Sequence, residues 1–315
     1  MSDNKLMWAV LVHLGNNMWN EEGNRTGRES NPEATASPVL RFNRKLYDDY
    51  LPYLREKGAD TLIIDVGEAL VYESHPELAV EGSWSKEKMQ KELKDLRSMG
   101  FEVIPKLNFS AGHDVWLKDY AYMLSTNLYR NVCSDLIKEV CEVFEPKYFH
   151  LGMDEENWAI QKNYDYVVVR QRDVWWRDFY NLVDSVEKGN ARPMIWSDRI
   201  WEHPEDYPAK MPKSVIQCNW YYGIDLDAPK SESRENRVRA FETLDRYGYD
   251  QMPTGSNWSH RENMKEIVRY CSEHVSDEHL LGFMQTPWYP FVESRREHLF
   301  ESADCLKEAK DLLIK

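Results

Sequence analysis

Positive charge is in short supply: 40 lysines and arginines stand against 54 aspartates and glutamates, a formal net charge of −14 over 315 residues. That balance argues against a surface built to neutralise phosphate backbones or anionic membranes, which takes clustered Lys and Arg. Neither nucleic acid nor a membrane is an expected partner. Cysteine is sparse as well. Cys133, Cys141, Cys218, Cys271 and Cys305 are odd in number and far apart, so no disulfide framework is implied and buried thiols are expected. C-x-x-C, H-x-H and H-E-x-x-H spacings are absent, and with them the local signatures of a zinc site; no metal and no cofactor is expected. No apolar run approaches the roughly twenty residues of a membrane helix. The run Leu6 to Val12 continues into His13-Leu14-Gly15 where a signal peptide would have its cleavage region, so it reads as a first strand and the location as cytoplasmic. Long linkers, low-complexity tracts and internal repeats are also missing, and residues 1–315 are expected to form one domain.

What is abundant is apolar and aromatic residues, 42% and 13%, enough for a full core. Strand-like runs at Met7 to Leu14, Thr61 to Val66, Phe101 to Leu107, Lys147 to Leu151, Pro193 to Trp196, Val215 to Trp220, Asp250 to Thr254 and Leu281 to Gln285 alternate with helical periodicity. The helical segments include Asn43 to Lys57, with Pro52 inside it and expected to kink it. A helix follows Ser85, and others cover Val132 to Phe144, Asp173 to Lys188, Asn236 to Tyr247, Arg261 to His274 and Leu299 to Ile314. Eight strands alternating with helices predict a (β/α)8 TIM barrel; a doubly wound sheet is the alternative. The proline-rich connection after Trp196 is too short for a long helix, so one helix of the outer ring should be abbreviated.

The stretch around which the rest is organised is Lys147-Tyr148-Phe149-His150-Leu151-Gly152-Met153-Asp154-Glu155-Glu156. As a strand, it sends Phe149 and Leu151 to one side and Tyr148, His150, Gly152 and Asp154 to the other. Acids just beyond the carboxyl end of a barrel strand stand where catalytic groups collect. They are also favoured in the first turn of a helix, so a merely capping role for them is the competing reading.

The barrel would gather further residues on the same rim: His13 and Trp19, Asp65 and Glu68, Asn108 and His113, Trp196 and Asp198, Asn219 with Trp220 and Tyr221, Asn257 and Trp258, and Gln285 and Trp288. Acids, amides and indoles together suit sugars, whose C–H faces stack on rings while their hydroxyls need paired donors and acceptors. Carbohydrate is therefore the expected partner, with His113, His150, Trp196, Asp198, Trp220, Tyr221, Trp258 and Trp288 as the substrate-binding candidates. His113 and His150 could instead hold Asp154 in place. Two polar stretches, Asn20 to Pro38 and Gly223 to Glu235, read equally well as cleft rims or as surface loops.

His150-Leu151-Gly152-Met153-Asp154-Glu155 resembles the His-x-Gly-Gly-Asp-Glu signature of family 20 glycoside hydrolases, the β-N-acetylhexosaminidases, with Met153 in place of the second glycine. Val103-Ile104-Pro105 followed by Gly112-His113 is similar to the family's third-strand segment. Met194 to Asp198 is loosely similar to its fifth, and Trp220 and Trp288 match the tryptophans that wall its sugar pocket. The resemblance implies a retaining glycosidase in which the substrate's own 2-acetamido oxygen attacks the anomeric carbon. Glu155 would then be the acid for the leaving group and Asp154 the carboxylate that orients the acetamide. It fits the absence of any carboxylate in Gln251 to Asn257, after strand seven, where ordinary retaining barrels place their nucleophile.

The sequence also departs from the family. Strand one carries His13-Leu14-Gly15-Asn16 where the family has a sugar-binding arginine, no carboxylate follows Trp288 at the family's spacing, and strand seven lacks a tyrosine that Tyr221 or Tyr222 could replace. Asp198 could bind a hydroxyl, or serve as the acid of an inverting mechanism instead. Two other classes stay open: a metal-dependent barrel hydrolase or isomerase using His13, His113, His150, Asp154 and Asp198, and a non-catalytic carbohydrate-binding barrel.

Overall fold

A computed structural model describes residues 6–21, 32–157, 161, 168–170 and 173–313. Eight strands, all parallel, run in the order β6-β5-β4-β3-β2-β1-β8-β7. They are β1 Met7–His13, β2 Thr61–Asp65, β3 Glu102–Lys106, β4 Tyr148–His150, β5 Arg192–Trp196, β6 Ile216–Cys218, β7 Thr254–Gly255 and β8 Gly282–Gln285. Isolated parallel bridges from Gln217 to Gln251 and from Trp220 to Thr254 join the two end strands. The sheet therefore closes on itself, and the expected (β/α)8 barrel is what forms.

Helices α1 Arg44–Glu56, α2 Lys86–Ser98, α3 Asn127–Phe144 and α4 Asp173–Lys188 alternate with the first five strands. Between β5 and β6 stand only two short helices, α5 Arg199–Glu202 and α6 Tyr207–Lys210, which is the abbreviated connection expected there. Helices α7 Glu232–Arg246, α8 Asn263–His274 and α9 Arg296–Lys310 complete the ring. Helix starts follow side-chain chemistry, since Asn43, Ser85, Thr126 and Ser231 each accept a backbone N–H from the first turn. Pro52 lies on the exposed side of α1. Residues 22–31 of the Asn20 to Pro38 stretch lie outside the described residues. No helix among the described residues is long and apolar enough to cross a membrane. All five cysteines are buried and unbridged.

Period-two alternation divides the core into two clusters. Val10, Val12, Phe149, Leu151 and Phe283 face the helices, while Ala9, Leu11, Ile63, Ile104, Met194, Trp196, Ile216 and Met284 fill the barrel. Above this apolar filling lies a polar layer set by strand register, in which His13 pairs with Asp65, Asp65 with Lys106, and Lys106 with His150. The Lys106 ammonium bonds the Asp65 carboxylate there, and His13 Nδ1 stands 3.4 Å from the same carboxylate. This layer lies beneath the pocket described next.

Candidate active site

Beyond His150 the chain leaves β4 through an unusual backbone. Gly152, Met153 and Glu155 all have positive φ, at 72°, 72° and 52°. Gly152 is required for a second reason: a Cβ there would come within 2.1 Å of Asn108 Oδ1. The twisted path turns both acids toward the mouth of the barrel. Strain of this kind persists where surrounding contacts over-determine it, and it clusters at functional sites.

The contacts are present. Asn108, just beyond β3, donates from Nδ2 to Asp154 Oδ1 at 3.0 Å, and the Ser110 hydroxyl bonds the Asp154 carbonyl. His113 bridges the pair, with Nδ1 3.5 Å from Asp154 Oδ1 and Nε2 3.5 Å from Glu155 Oε2. Burial alone would raise the Asp154 pKa, but His113, the Lys106 charge beneath and the Asn108 hydrogen bond outweigh it and hold the carboxyl below its usual range. Asp154 is thus kept ionised. Its side chain is 12% exposed and that of Glu155 31%, so Glu155 is the more open to an entering ligand.

Glu156, the third acid, has a different task. It accepts the Ala111 N–H at 2.9 Å and pairs with Arg170, which also bonds Asp178 at 3.1 Å, the Phe109 carbonyl at 3.0 Å and the Tyr129 hydroxyl at 2.7 Å. That buried network anchors the loop from behind.

Asp154 and Glu155 open into a cavity of about 540 Å³, within the range of small-ligand sites. His113, Trp196, Trp220, Trp258 and Trp288 line it, as do Trp19, Glu33, Tyr222, Arg237 and Tyr289. The rings touch in sequence around the mouth. Trp201 meets Trp220 edge-on at 4.7 Å, Trp220 stacks on Tyr222 at 4.9 Å, and Trp288 donates from Nε1 to the Tyr222 hydroxyl at 3.0 Å. Trp288 then faces Trp196 at 5.8 Å and His13 at 5.6 Å. Trp288 itself has φ 56°, a further strained position at the mouth.

Three expected binding residues stand elsewhere. His150 is fully buried one level below the mouth, where its Nδ1 accepts the Gly152 N–H at 3.0 Å and its ring lies 4.5 Å from Trp196. Burial and then the Lys106 charge push its pKa down to about 3, so it stays neutral. Asp198 lies behind Glu155 and accepts its backbone N–H. Burial, then the charge of Asp154, raise Asp198 to about 8. Tyr221 points into the helix layer and bonds Asp225, because Trp220 faces inward and the next residue must face out. Tyr222 takes the pocket position instead. Neither Asp65 nor Glu68 reaches this cavity. Arg237 and Tyr289 also line the pocket without a signal in the sequence: Arg237 comes from a helix rather than a strand end, and Tyr289 follows Trp288 with no motif of its own.

A parallel eight-stranded barrel with adjacent acids and an aromatic mouth defines a class of fold that carries glycosidases among many other activities. No family model matches the sequence, and no curated protein matches it. Solved structures do match in fold. The GH20 β-N-acetylhexosaminidase from Streptomyces coelicolor A3(2) superposes with a TM-score of 0.63 at 11% identity, over 97% of this chain and 64% of that one. The β-N-acetylhexosaminidase from Bacteroides fragilis NCTC 9343 gives 0.62 at 13% identity, over 96% and 65%. The GH20 exo-β-N-acetylglucosaminidase from Vibrio harveyi, in complex with N-acetylglucosamine, gives 0.62 at 12% identity, over 98% and 57%. The chain therefore has the barrel fold found in family 20 structures and spans less than two thirds of the length of these three.

Proposed function

We propose that the protein is a retaining β-N-acetylhexosaminidase-like glycosidase working by substrate assistance. The observation that carries this reading is the clamp on Asp154: a carboxylate kept ionised by His113, Asn108 and Lys106, beside a second acid more open to the pocket. In this mechanism Glu155 protonates the glycosidic oxygen as the 2-acetamido oxygen attacks the anomeric carbon. Asp154 accepts from the acetamide N–H and offsets the positive charge of the oxazolinium formed. Glu155 then takes a proton from the water that opens the ring, returning to its starting state. The aromatic mouth would stack the sugar, and the Tyr222 hydroxyl, positioned by Trp288, is available to the acetamide.

An ordinary retaining route needs a second carboxylate about 5 Å from the acid. The remaining pocket acid, Glu33, is paired with Arg295 at 2.6 Å, which supports the substrate-assisted route. Asp198, raised to about 8, would hold the proton that the acid of an inverting enzyme needs, but it stands outside the cavity lining and accepts the Glu155 backbone N–H instead.

The test compares an aryl N-acetyl-β-glucosaminide with the matched aryl β-glucoside. The acetamido sugar should turn over far faster, and a thiazoline mimic of the intermediate should inhibit strongly. Equal rates without thiazoline inhibition would remove substrate assistance. Binding of N-acetylglucosamine with no turnover of either glycoside would favour the non-catalytic barrel.

A further inference from the structure

Among the described residues lining the pocket, Arg237 is the only arginine or lysine, and the mechanism above gives it no task. It projects from α7 onto the aromatic mouth, with its guanidinium carbon 4.5 Å from the centre of the Trp201 ring and 5.2 Å from that of Trp220. Those rings are themselves fixed, since Trp201 donates from Nε1 to Asn219 Oδ1 at 2.8 Å. Asn219 in turn donates to the Arg237 backbone carbonyl at 2.9 Å, tying the start of the arginine's side chain to the same assembly. The guanidinium is held as a rigid part of the wall.

Stacking on rings engages the flat face of a guanidinium and leaves its N–H donors at the edge, in the plane of the fork. Among the described residues, no hydrogen bond or ion pair engages those donors. The pocket carboxylates are committed elsewhere: Glu33 to Arg295, and Asp154 and Glu155 to His113. In a chain with 14 more acids than bases by formal charge, an arginine that lines a cavity and makes no ion pair among the described residues is a cation placed to meet a ligand.

We propose that Arg237 receives an oxyanion substituent on the bound sugar, a sulfate or phosphate ester whose paired oxygens match the guanidinium fork. The proposal rests on the reading of the pocket as a site for a 2-acetamido sugar and adds to it a preference for acidic forms of that sugar. The negative charge of the whole chain works against an anionic ligand at long range. The preference is therefore best measured near physiological ionic strength, where that repulsion is screened and the local pair is less affected.

The experiment is binding calorimetry on the whole chain with N-acetylglucosamine, its 6-sulfate and its 6-phosphate. The wild type should bind at least one of the esters about tenfold or more tighter than the neutral sugar. Arg237→Met keeps an apolar stem on the two tryptophans and removes the charge, and it should abolish that preference; Arg237→Lys, which keeps charge without the fork, should retain only part of it. Sulfate against phosphate identifies the ester. If N-acetylglucosamine binds and both esters bind no better, or if Arg237→Met leaves the preference intact, the anion site is overturned while the hexosaminidase reading stands. If none of the three sugars binds, both fall. The comparison within the wild type holds even should a variant fail to fold.

Discussion

The backbone N–H of Glu155 donates to Asp198 Oδ2 at 2.6 Å, and it does so with Glu155 in the left-handed region at φ 52°. Asp198 thus secures the strained residue that carries the proposed acid, through the backbone rather than through the side chain. Misplacement of a catalytic group by about 1 Å can cost about a hundredfold in rate. Asp198→Ala should therefore lower kcat by about tenfold to a hundredfold with little change in KM. Asp198→Asn keeps an acceptor and should retain most of the activity. Equal losses in both variants would assign Asp198 a role beyond anchoring.

The same residue makes a prediction about pH. Its pKa is raised to about 8, first by burial and then by Asp154, so the native state holds a proton that the unfolded chain releases near the ordinary carboxylate value. Such a group contributes stability that is fully present below its unfolded pKa and is lost as pH rises through the folded one. Glu68 and Asp114, both raised to about 7 by burial, act in the same direction. Below about pH 7 the buried neutral histidines His13 and His150 oppose this trend, so Tm should fall between about pH 7 and about pH 9, and Asp198→Asn should make the fall shallower. Parallel Tm curves for variant and wild type would assign the pH dependence to other groups.

Gly152→Ala should be among the most damaging single changes in the chain. Its Cβ would lie 2.1 Å from Asn108 Oδ1 and 2.8 Å from Asn108 Cα, at φ 72°. Together the strain and the displaced hydrogen bond to Asp154 should cost about 3 kcal/mol or more, measurable by urea denaturation. Met153, also at φ 72°, shows the opposite balance. Glycine there would relieve about 1 kcal/mol of left-handed strain, but the Met side chain is buried, and truncating such a side chain costs about 2 to 5 kcal/mol. The departure from the family 20 signature is thus tolerated, because packing outweighs backbone strain.

The barrel was legible because alternation and helical periodicity are local signals, and the same alternation put Phe149 and Leu151 on one side and His150 on the other, while Asp154 lies past the end of β4 on a positive-φ path that alternation does not describe. Alternation reports direction and not depth. His150 points inward, yet register sets it level with Lys106 and below the mouth, so a correct direction led to a wrong expectation of access. Parity could have separated Tyr222 from Tyr221, given an inward Trp220. The Lys106–Asp65 pair and the Arg237 contacts depend on residues distant in sequence, and no motif carries them.

Chelation should leave any glycosidase activity intact. Among the described residues no three His, Cys, Asp or Glu side chains gather as metal ligands, and the Lys106 ammonium bonds Asp65 in the same layer as His13 and His150. A fixed positive charge at that point disfavours a divalent ion beside it. Activity lost to a chelator and restored by one divalent ion would promote the metal-dependent reading.

The two central acids should separate by leaving-group dependence. If Glu155 protonates the departing oxygen, Glu155→Gln should cripple substrates with poor leaving groups far more than activated aryl glycosides, because a phenolate of low pKa needs little protonation. If Asp154 orients the acetamide and offsets the oxazolinium charge, Asp154→Asn should slow both kinds of substrate alike, since intramolecular attack fails whatever leaves. Loss of one charge-stabilising partner is worth about a hundredfold to a thousandfold in kcat. The Asp154→Asn deficit should reach that range on an activated aryl N-acetylglucosaminide, where Glu155→Gln should lose far less. The reverse pattern would exchange the two roles. Equal sensitivity of both variants to the leaving group would mean that neither acid acts through the acetamide.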